Sequence, residues 1–160
     1  MGPITANPFR IASASGSVTD RRHALADLAK DDKINFIVGD WMSEYNMTTR
    51  GGSKVDNCAE RSEYEYSFLE ALEPALPSLQ SNGIKVVVNA GASDTEKLHD
   101  VVTSMVKDAG LSLKVAWIGG DEAFDAIQKA TKLGSVFKSL TTGEYHTYIG
   151  DLAPAHTIQC

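Results

Sequence analysis

The fold is decided by residues 84–96, which read IKVVVNAGASDTE. The apolar, largely β-branched run at 84–88 predicts a buried strand. Small and polar residues end the run, and Ser93 and Glu96 then have the spacing of a capping box, which predicts the start of a helix. The order is therefore strand, tight turn, helix. In open parallel sheets such turns lie at the strand ends where ligands bind, although a plain βα connection is the alternative.

The same order recurs along the chain. Three further apolar runs predict strands, at 10–15, 34–38 and 113–118. Apolar residues at helical spacing predict helices after residue 20, across 64–79, after 93 and across 124–133. This alternation predicts an α/β domain with a mostly parallel, Rossmann-like three-layer sheet and helices on both faces. A strand as apolar as 86–88 should be covered on both sides.

Some segments fit this pattern less well. Pro74 and Pro77 predict a kink or a break within 64–79, because proline lacks an amide and clashes with the preceding turn. A short helix is predicted across 41–47. Residues 48–60 contain Gly51-Gly52 and many polar side chains, which predicts a loop. Residues 145–149 are interpreted as a short strand.

Composition narrows the function classes. The 160 residues suit a single domain, 1–160, with residues 135–160 weakly patterned. A net charge of −6 argues against nucleic-acid binding, and no apolar run is long enough to span a membrane. Cys58 and Cys160 lie too far apart to indicate a disulfide framework or a zinc site, so we expect a reducing, cytoplasmic compartment. The spacing of the histidines predicts no metal site, and without a nucleotide fingerprint or a P-loop we expect no cofactor.

The turns after the strands carry the candidate functional residues. Because parallel strands end at one edge of a sheet, these turns should converge. Carboxylates crowded there raise one another's pKa, which suits general acid–base chemistry, and Arg21 could bind an anion. Asp20 and Asp121 have a simpler alternative, namely a favourable interaction with a helix dipole. The candidate catalytic residues are Asp40, Glu44 and Asn89, and the candidate substrate-binding residues are Ser15, Gly16, Asp20, Arg21, Trp41, Gly91 and Asp121.

Asn89 is the first polar residue after the most apolar strand. We expect its amide to point into the cleft formed by the turns after Ser15 and Asp40. The small residues that follow it would let a ligand approach the backbone, and the next helix start adds free amides. The alternative is that Asn89 only bonds a neighbouring turn.

These blocks, taken in order, are similar to a known family. The segments RIASASG (10–16), VGDWMSE (38–44) and VNAG (88–91) closely resemble the N-terminal region of the acyclic terpene utilisation (AtuA-like) family, most of all its fungal members. The resemblance begins near Phe9 and covers almost the whole chain. Bacterial members carry a second glycine before their Asp-Arg pair, whereas this chain has Thr19 there. Family members are also longer, so the resemblance implies the N-terminal part of a larger architecture.

The family is associated with the catabolism of acyclic terpenes such as citronellol and geraniol through acyl-CoA intermediates. The resemblance therefore implies a catabolic enzyme, or part of one, that acts on a branched organic acid or its acyl-CoA thioester. A lyase or hydratase reaction would use Asp40 or Glu44 as general base, Asn89 as oxyanion donor and Arg21 as anion clamp. The alternative is a non-catalytic assembly module that pairs with a second copy, a partner subunit or a C-terminal half.

Overall fold

The computed structural model describes residues 8–17, 20–55, 64–121, 123–135, 137–138, 143 and 145–146. Its centre is a three-stranded parallel sheet with the order β1-β2-β3. The strands are β1 (Ile11–Ser15), β2 (Phe36–Gly39) and β3 (Lys85–Val88). Ile11 pairs with Phe36, which in turn pairs with Lys85. The three strands therefore begin at the same position across the sheet, and their carboxyl ends lie at one edge. The predicted mixed α/β class with a parallel sheet is confirmed.

Helices connect and follow the strands. They are α1 (Ala24–Ala29), α2 (Glu44–Val55), α3 (Tyr66–Leu72), α4 (Leu76–Asn82), α5 (Thr95–Asp108) and α6 (Phe124–Lys132). A short antiparallel pair follows, β4 (Phe137–Lys138) with β5 (Tyr145–His146). Of the predicted strand at 145–149, residues 147–149 lie outside the described part. No helix in the described ranges is long and apolar enough to cross a membrane.

The break predicted at the prolines is confirmed. A 3₁₀ turn, Glu73–Ala75, separates α3 from α4 and contains Pro74. Pro77 lies in the first turn of α4, where its missing amide leaves no helical bond unmade. Gly83 ends α4 in the left-handed conformation, with φ at 65°, and the chain then turns into β3.

Three local predictions were wrong. Residues 48–55 are not a loop, because α2 continues to Val55, and the hydroxyls of Thr48 and Thr49 donate to carbonyls four residues back. Residues 56–60 lie outside the described part of the chain. The cap of α5 is Asp94, whose carboxylate accepts from the Lys97 amide at 3.3 Å, so the Ser93 capping box was misplaced by one residue.

The third error concerns residues 113–118, which form no strand. They line one cavity with β3, but no backbone hydrogen bond joins the two in the described structure. Leu113 and Val115 still pack partly against the core. An alternating apolar pattern predicts an extended backbone with one side facing a core. It does not predict whether that backbone forms hydrogen bonds with a neighbouring strand.

One face of the sheet holds the core. Inward-facing residues of all three strands pack with α1, α3, α4 and α5 around the fully buried Leu25 and Ile37. Among the described residues nothing covers the opposite face, which we call the bare face: Ile11 is 64% exposed and Val87 is 59% exposed. The expectation that β3 is covered on both faces is therefore not confirmed by the described residues. Right-handed crossovers between successive neighbouring strands all lie on one face, which leaves the other uncovered.

We expect Gly39→Ala to lower the free energy of unfolding by about 1–3 kcal/mol. A Cβ at Gly39 would overlap the ring of Trp41, which is buried and packs edge-on against Phe68. Chemical denaturation measures the loss.

Gly16→Ala is the matched control. A Cβ at Gly16 would meet only an Asp20 carboxylate oxygen, at an ordinary 3.7 Å. The control should change stability by less than about 0.5 kcal/mol. Equal effects of the two substitutions would contradict the packing described for Trp41.

Candidate functional site

The ends of the three strands are joined by side chains. The Asp40 amide donates to the Ser15 carbonyl at 2.9 Å. The buried Ser15 hydroxyl lies 2.5 Å from the Ser17 carbonyl and 3.4 Å from the Asp40 carbonyl. Asn89 bridges from β3, because its Oδ1 accepts from the Trp41 amide at 2.7 Å and its Nδ2 donates to Asp40 Oδ1 at 2.7 Å. The structure therefore brings Ser15, Asp40 and Asn89 together.

Asn89 both bonds the neighbouring turn and faces outward. Its two hydrogen bonds hold the β2 turn against the β3 turn, which is the simpler alternative drawn from the sequence. The side chain is nevertheless exposed. A primary amide has two N–H groups and two acceptor lone pairs, so one of each remains available to a ligand.

The first turn binds its own carboxylate. The Gly16 amide donates to Asp20 Oδ2 at 2.7 Å, so Asp20 occupies the amide that an anion would use. Arg21 is exposed and makes no ion pair in the described structure, whereas its neighbour Arg22 pairs with Glu70. Of the two arginines, Arg21 is thus the one whose charge is available to a ligand.

Two candidate residues act through packing. Trp41 is 5% exposed and fills the space under Gly39, so its ring contacts the core. Gly91 is buried against Thr95, and a Cβ there would overlap the side chain and the backbone of Thr95. Ala92 follows with φ at +48°, a conformation that non-glycine residues rarely adopt. The turn after Asn89 is therefore tightly packed and strained.

Glu44 and Asp121 lie at the periphery. Glu44 is exposed in the first turn of α2, where its negative charge interacts favourably with the positive end of the helix dipole. Asp121 is exposed and lines a cavity that also reaches Asn89. The structure brings Asp121 and Asn89 to the lining of one cavity.

This cavity has a volume of about 800 Å³, and its lining includes all of β3 and residues 113–118. Its walls are mostly apolar, and it has polar residues at both ends of β3, with Lys85 at the start of the strand and Asn89 just after its end. The apolar lining includes Phe68, Leu72, Leu98, Val102, Leu113 and Val115, and the polar lining includes Asn89, Thr95, His99 and Asp121. A cavity of this size and character suits an elongated apolar ligand with a polar end.

A buried polar network under these turns was missed by the sequence analysis. Glu65 is 6% exposed, and its carboxylate accepts from Asn46 Nδ2 at 3.2 Å and from Arg50 Nη2 at 3.3 Å. The Glu65 amide donates to the Ala90 carbonyl at 2.9 Å. Asn46 Nδ2 also donates to the Trp41 carbonyl. Glu65 thus connects α2 with both turns that carry Asp40 and Asn89.

A signal for this network was present in the sequence. Asn46 and Arg50 are four residues apart and share a face once the segment is helical. Because residues 48–60 were interpreted as a loop, the shared helical face of Asn46 and Arg50 was not predicted. The described residues contain no group of three or more histidine, cysteine, aspartate or glutamate side chains that could hold a metal ion.

Comparison with known proteins gives one match. The family model described as acyclic terpene utilisation family protein AtuA matches residues 9–158. The chain belongs to this family. A search of curated proteins and a search of solved structures each found no match. Membership in the AtuA family identifies the protein as one of acyclic terpene utilisation.

In this AtuA family member, we expect Asn89→Ala to lower the free energy of unfolding by about 1–3 kcal/mol. The Trp41 amide, which is partly buried, would lose its acceptor. Asn35→Ala is the control, because Asn35 makes one exposed bond to the Arg10 amide, and we expect it to lose less than about 1 kcal/mol. Thermal and chemical unfolding measure both, and a loss no larger for Asn89 than for Asn35 would contradict the bridge.

Glu65→Ala should lower stability by about 3 kcal/mol or more, because it leaves Arg50 without its partner in a largely buried position. Glu70→Ala is the control. Glu70 pairs with Arg22 on the surface, where both side chains are more than half exposed, and its loss should be about 0–1 kcal/mol. Similar losses in denaturant titrations would show that the Glu65 network does not hold the turns.

Proposed function

We propose that this family member is a catabolic enzyme, or the N-terminal part of one, that acts on a branched acyclic organic acid or its acyl-CoA thioester. The observation that carries the proposal is the apolar cavity that reaches Asn89, which is hydrogen-bonded to the Asp40 carboxylate. The acyclic chain would lie along β3, and the carboxylate or thioester would lie at the mouth. The family's description supports an acyclic terpenoid as the substrate class.

The proposed chemistry is of the lyase or hydratase type. Asp40 is exposed at the strand ends, where it can take a proton from the carbon next to the carbonyl. The second N–H of Asn89 can donate to the oxygen that becomes negative in that step. Arg21 would bind a distant anionic group such as a phosphate. Glu44 is an alternative base, on the helix that follows the same turn.

Three finer predictions belong with this proposal. We propose that the full architecture is Rossmann-like with three layers, which requires a covering for the bare face of the sheet. We place the chain nearest the fungal members, on the glycine that it lacks before Asp20. A cytoplasmic location stays a prediction from its use of cysteine.

Ligand binding and proton exchange test the proposal. Citronellic acid and citronellyl-CoA should each raise the melting temperature, by the linkage between ligand binding and stability. In D₂O the enzyme should exchange the protons next to the thioester carbonyl, as followed by NMR. Asp40→Asn should bind the thioester but exchange it about 10²–10⁴-fold more slowly.

Asp27→Asn is the control for charge removal, because Asp27 is an exposed carboxylate that pairs with Lys30 within α1. It should leave binding and exchange unchanged. The proposal fails if neither compound shifts the melting temperature and no exchange occurs.

A second candidate function is supported by the bare sheet face. Val38 and Val87 are exposed register partners on this face, and Ile11 is exposed beside its partner Phe36, against which Phe9 packs edge-on at 5.6 Å. An apolar face of a parallel sheet is normally covered. A non-catalytic assembly module could use this face to pair with a second copy of the chain.

Light scattering after size-exclusion chromatography tests the assembly module. A dimer that Val38→Lys converts to a monomer would support it, because Val38 lies on the central strand β2 and the substitution places a charge at the centre of the face. Leu133→Lys is the control, since Leu133 is 78% exposed elsewhere on the surface. A monomeric wild-type chain would exclude self-assembly through this face.

A further inference from the structure

The outer edge of β3 has unused backbone groups. The Lys85 amide donates to the Asn35 carbonyl on the β2 side. Because successive residues of a strand direct their N–H and C=O groups to opposite edges, those of Val86 and Val88 point away from β2. No described residue bonds to them there. A strand edge of this kind can accept a further strand.

Residues 113–118 line the same cavity as β3 and show the same alternation of inward and outward side chains. Leu113 and Val115 face the core, and Lys114 and Ala116 face outward. This is the period of two found in the sheet, where Val86 is inward and Val87 is outward. The segment has the alternating burial of a fourth strand without the hydrogen bonds of one.

The two ends of residues 113–118 would allow the segment to move about one fixed end. At its base, the Ser112 amide donates to Gln80 Oε1 at 2.6 Å, which fixes this end to α4. The other end is followed by Gly119 and Gly120. Gly120 has φ at 112°, a backbone conformation that only glycine adopts readily. The cavity of about 800 Å³ is lined by both β3 and the segment, so pairing of the two would narrow it.

We propose that residues 113–118 are a gate strand that pairs with β3 when the cavity is empty and stands apart when an apolar ligand fills it. Pairing satisfies the edge groups of Val86 and Val88. Separation exposes the apolar lining to water, which is unfavourable. An apolar ligand in the cavity buries this surface again and so offsets the cost. Since pairing and ligand occupy the same space, the ligand shifts the gate toward the open position. The inference rests on the proposed function only for the identity of the ligand.

Disulfide trapping tests the gate. In a chain carrying Cys58→Ser and Cys160→Ser, the outward pairs Val87→Cys with Lys114→Cys, and Val87→Cys with Ala116→Cys, cover two registers of pairing. Neighbouring strands lie about 4.8 Å apart, and a disulfide needs Cα atoms roughly 4.4–6.8 Å apart. We expect one pair to cross-link in the ligand-free protein under mild oxidation. Saturating citronellic acid should slow the reaction several-fold.

Val38→Cys with Ala116→Cys is the matched control. Val38 is the register partner of Val87 on β2, so a paired gate strand would place residue 116 two strand spacings away, beyond disulfide reach. This control should not cross-link.

The outcomes separate the gate from the proposed function. Failure of both pairs to cross-link without ligand overturns the gate. Cross-linking at the same rate with citronellic acid, when calorimetry shows that the acid binds, also overturns it. Cross-linking without ligand, together with no binding of citronellic acid or citronellyl-CoA, supports the closed position of the gate and counts against the proposed function.

Discussion

The structure depends on the level, parallel pairing of β1, β2 and β3 in their chain order. Because each right-handed crossover returns on the same side, the helices gather on one face, and the core forms there around Ile37 and Leu25. Among the described residues, the same constraint leaves the opposite face without a covering helix. It also brings all three strand ends to one edge. The site, the exposed apolar face and the cavity are three consequences of one topology.

The strand ends become a site because their polar groups bond each other across strands. Asn89 satisfies the Trp41 amide and holds the Asp40 carboxylate, while Glu65 supports both turns from below. These bonds fix the position of a primary amide that lines the apolar cavity and of a carboxylate bonded to that amide. In the proposed reaction these two groups are the oxyanion donor and the base, and their fixed positions would spare the barrier the cost of reorganisation.

The sequence predicted the features that depend on local patterns. The strands at β1, β2 and β3, the proline break and the convergence of Asp40 with Asn89 follow from apolar periods, proline geometry and the common edge of parallel strands. Patterns did not show that residues 113–118 lack a partner, because pairing is a tertiary property. The polar residues of α2 concealed a helix, since Thr48 and Thr49 satisfy their hydroxyls within it. The Glu65 network was missed with it, because its members meet only in the folded chain.

The central claim is that the cavity beside β3 binds an acyclic acid with its polar end at Asn89. An NMR titration of isotope-labelled chain with citronellic acid tests it most directly. The account predicts shifts of the Asn89 side-chain amide together with the methyl groups of Leu98, Val102 and Val115. Shifts confined to the bare sheet face, or to the surface depression near Pro77 and Asp108, would contradict the account.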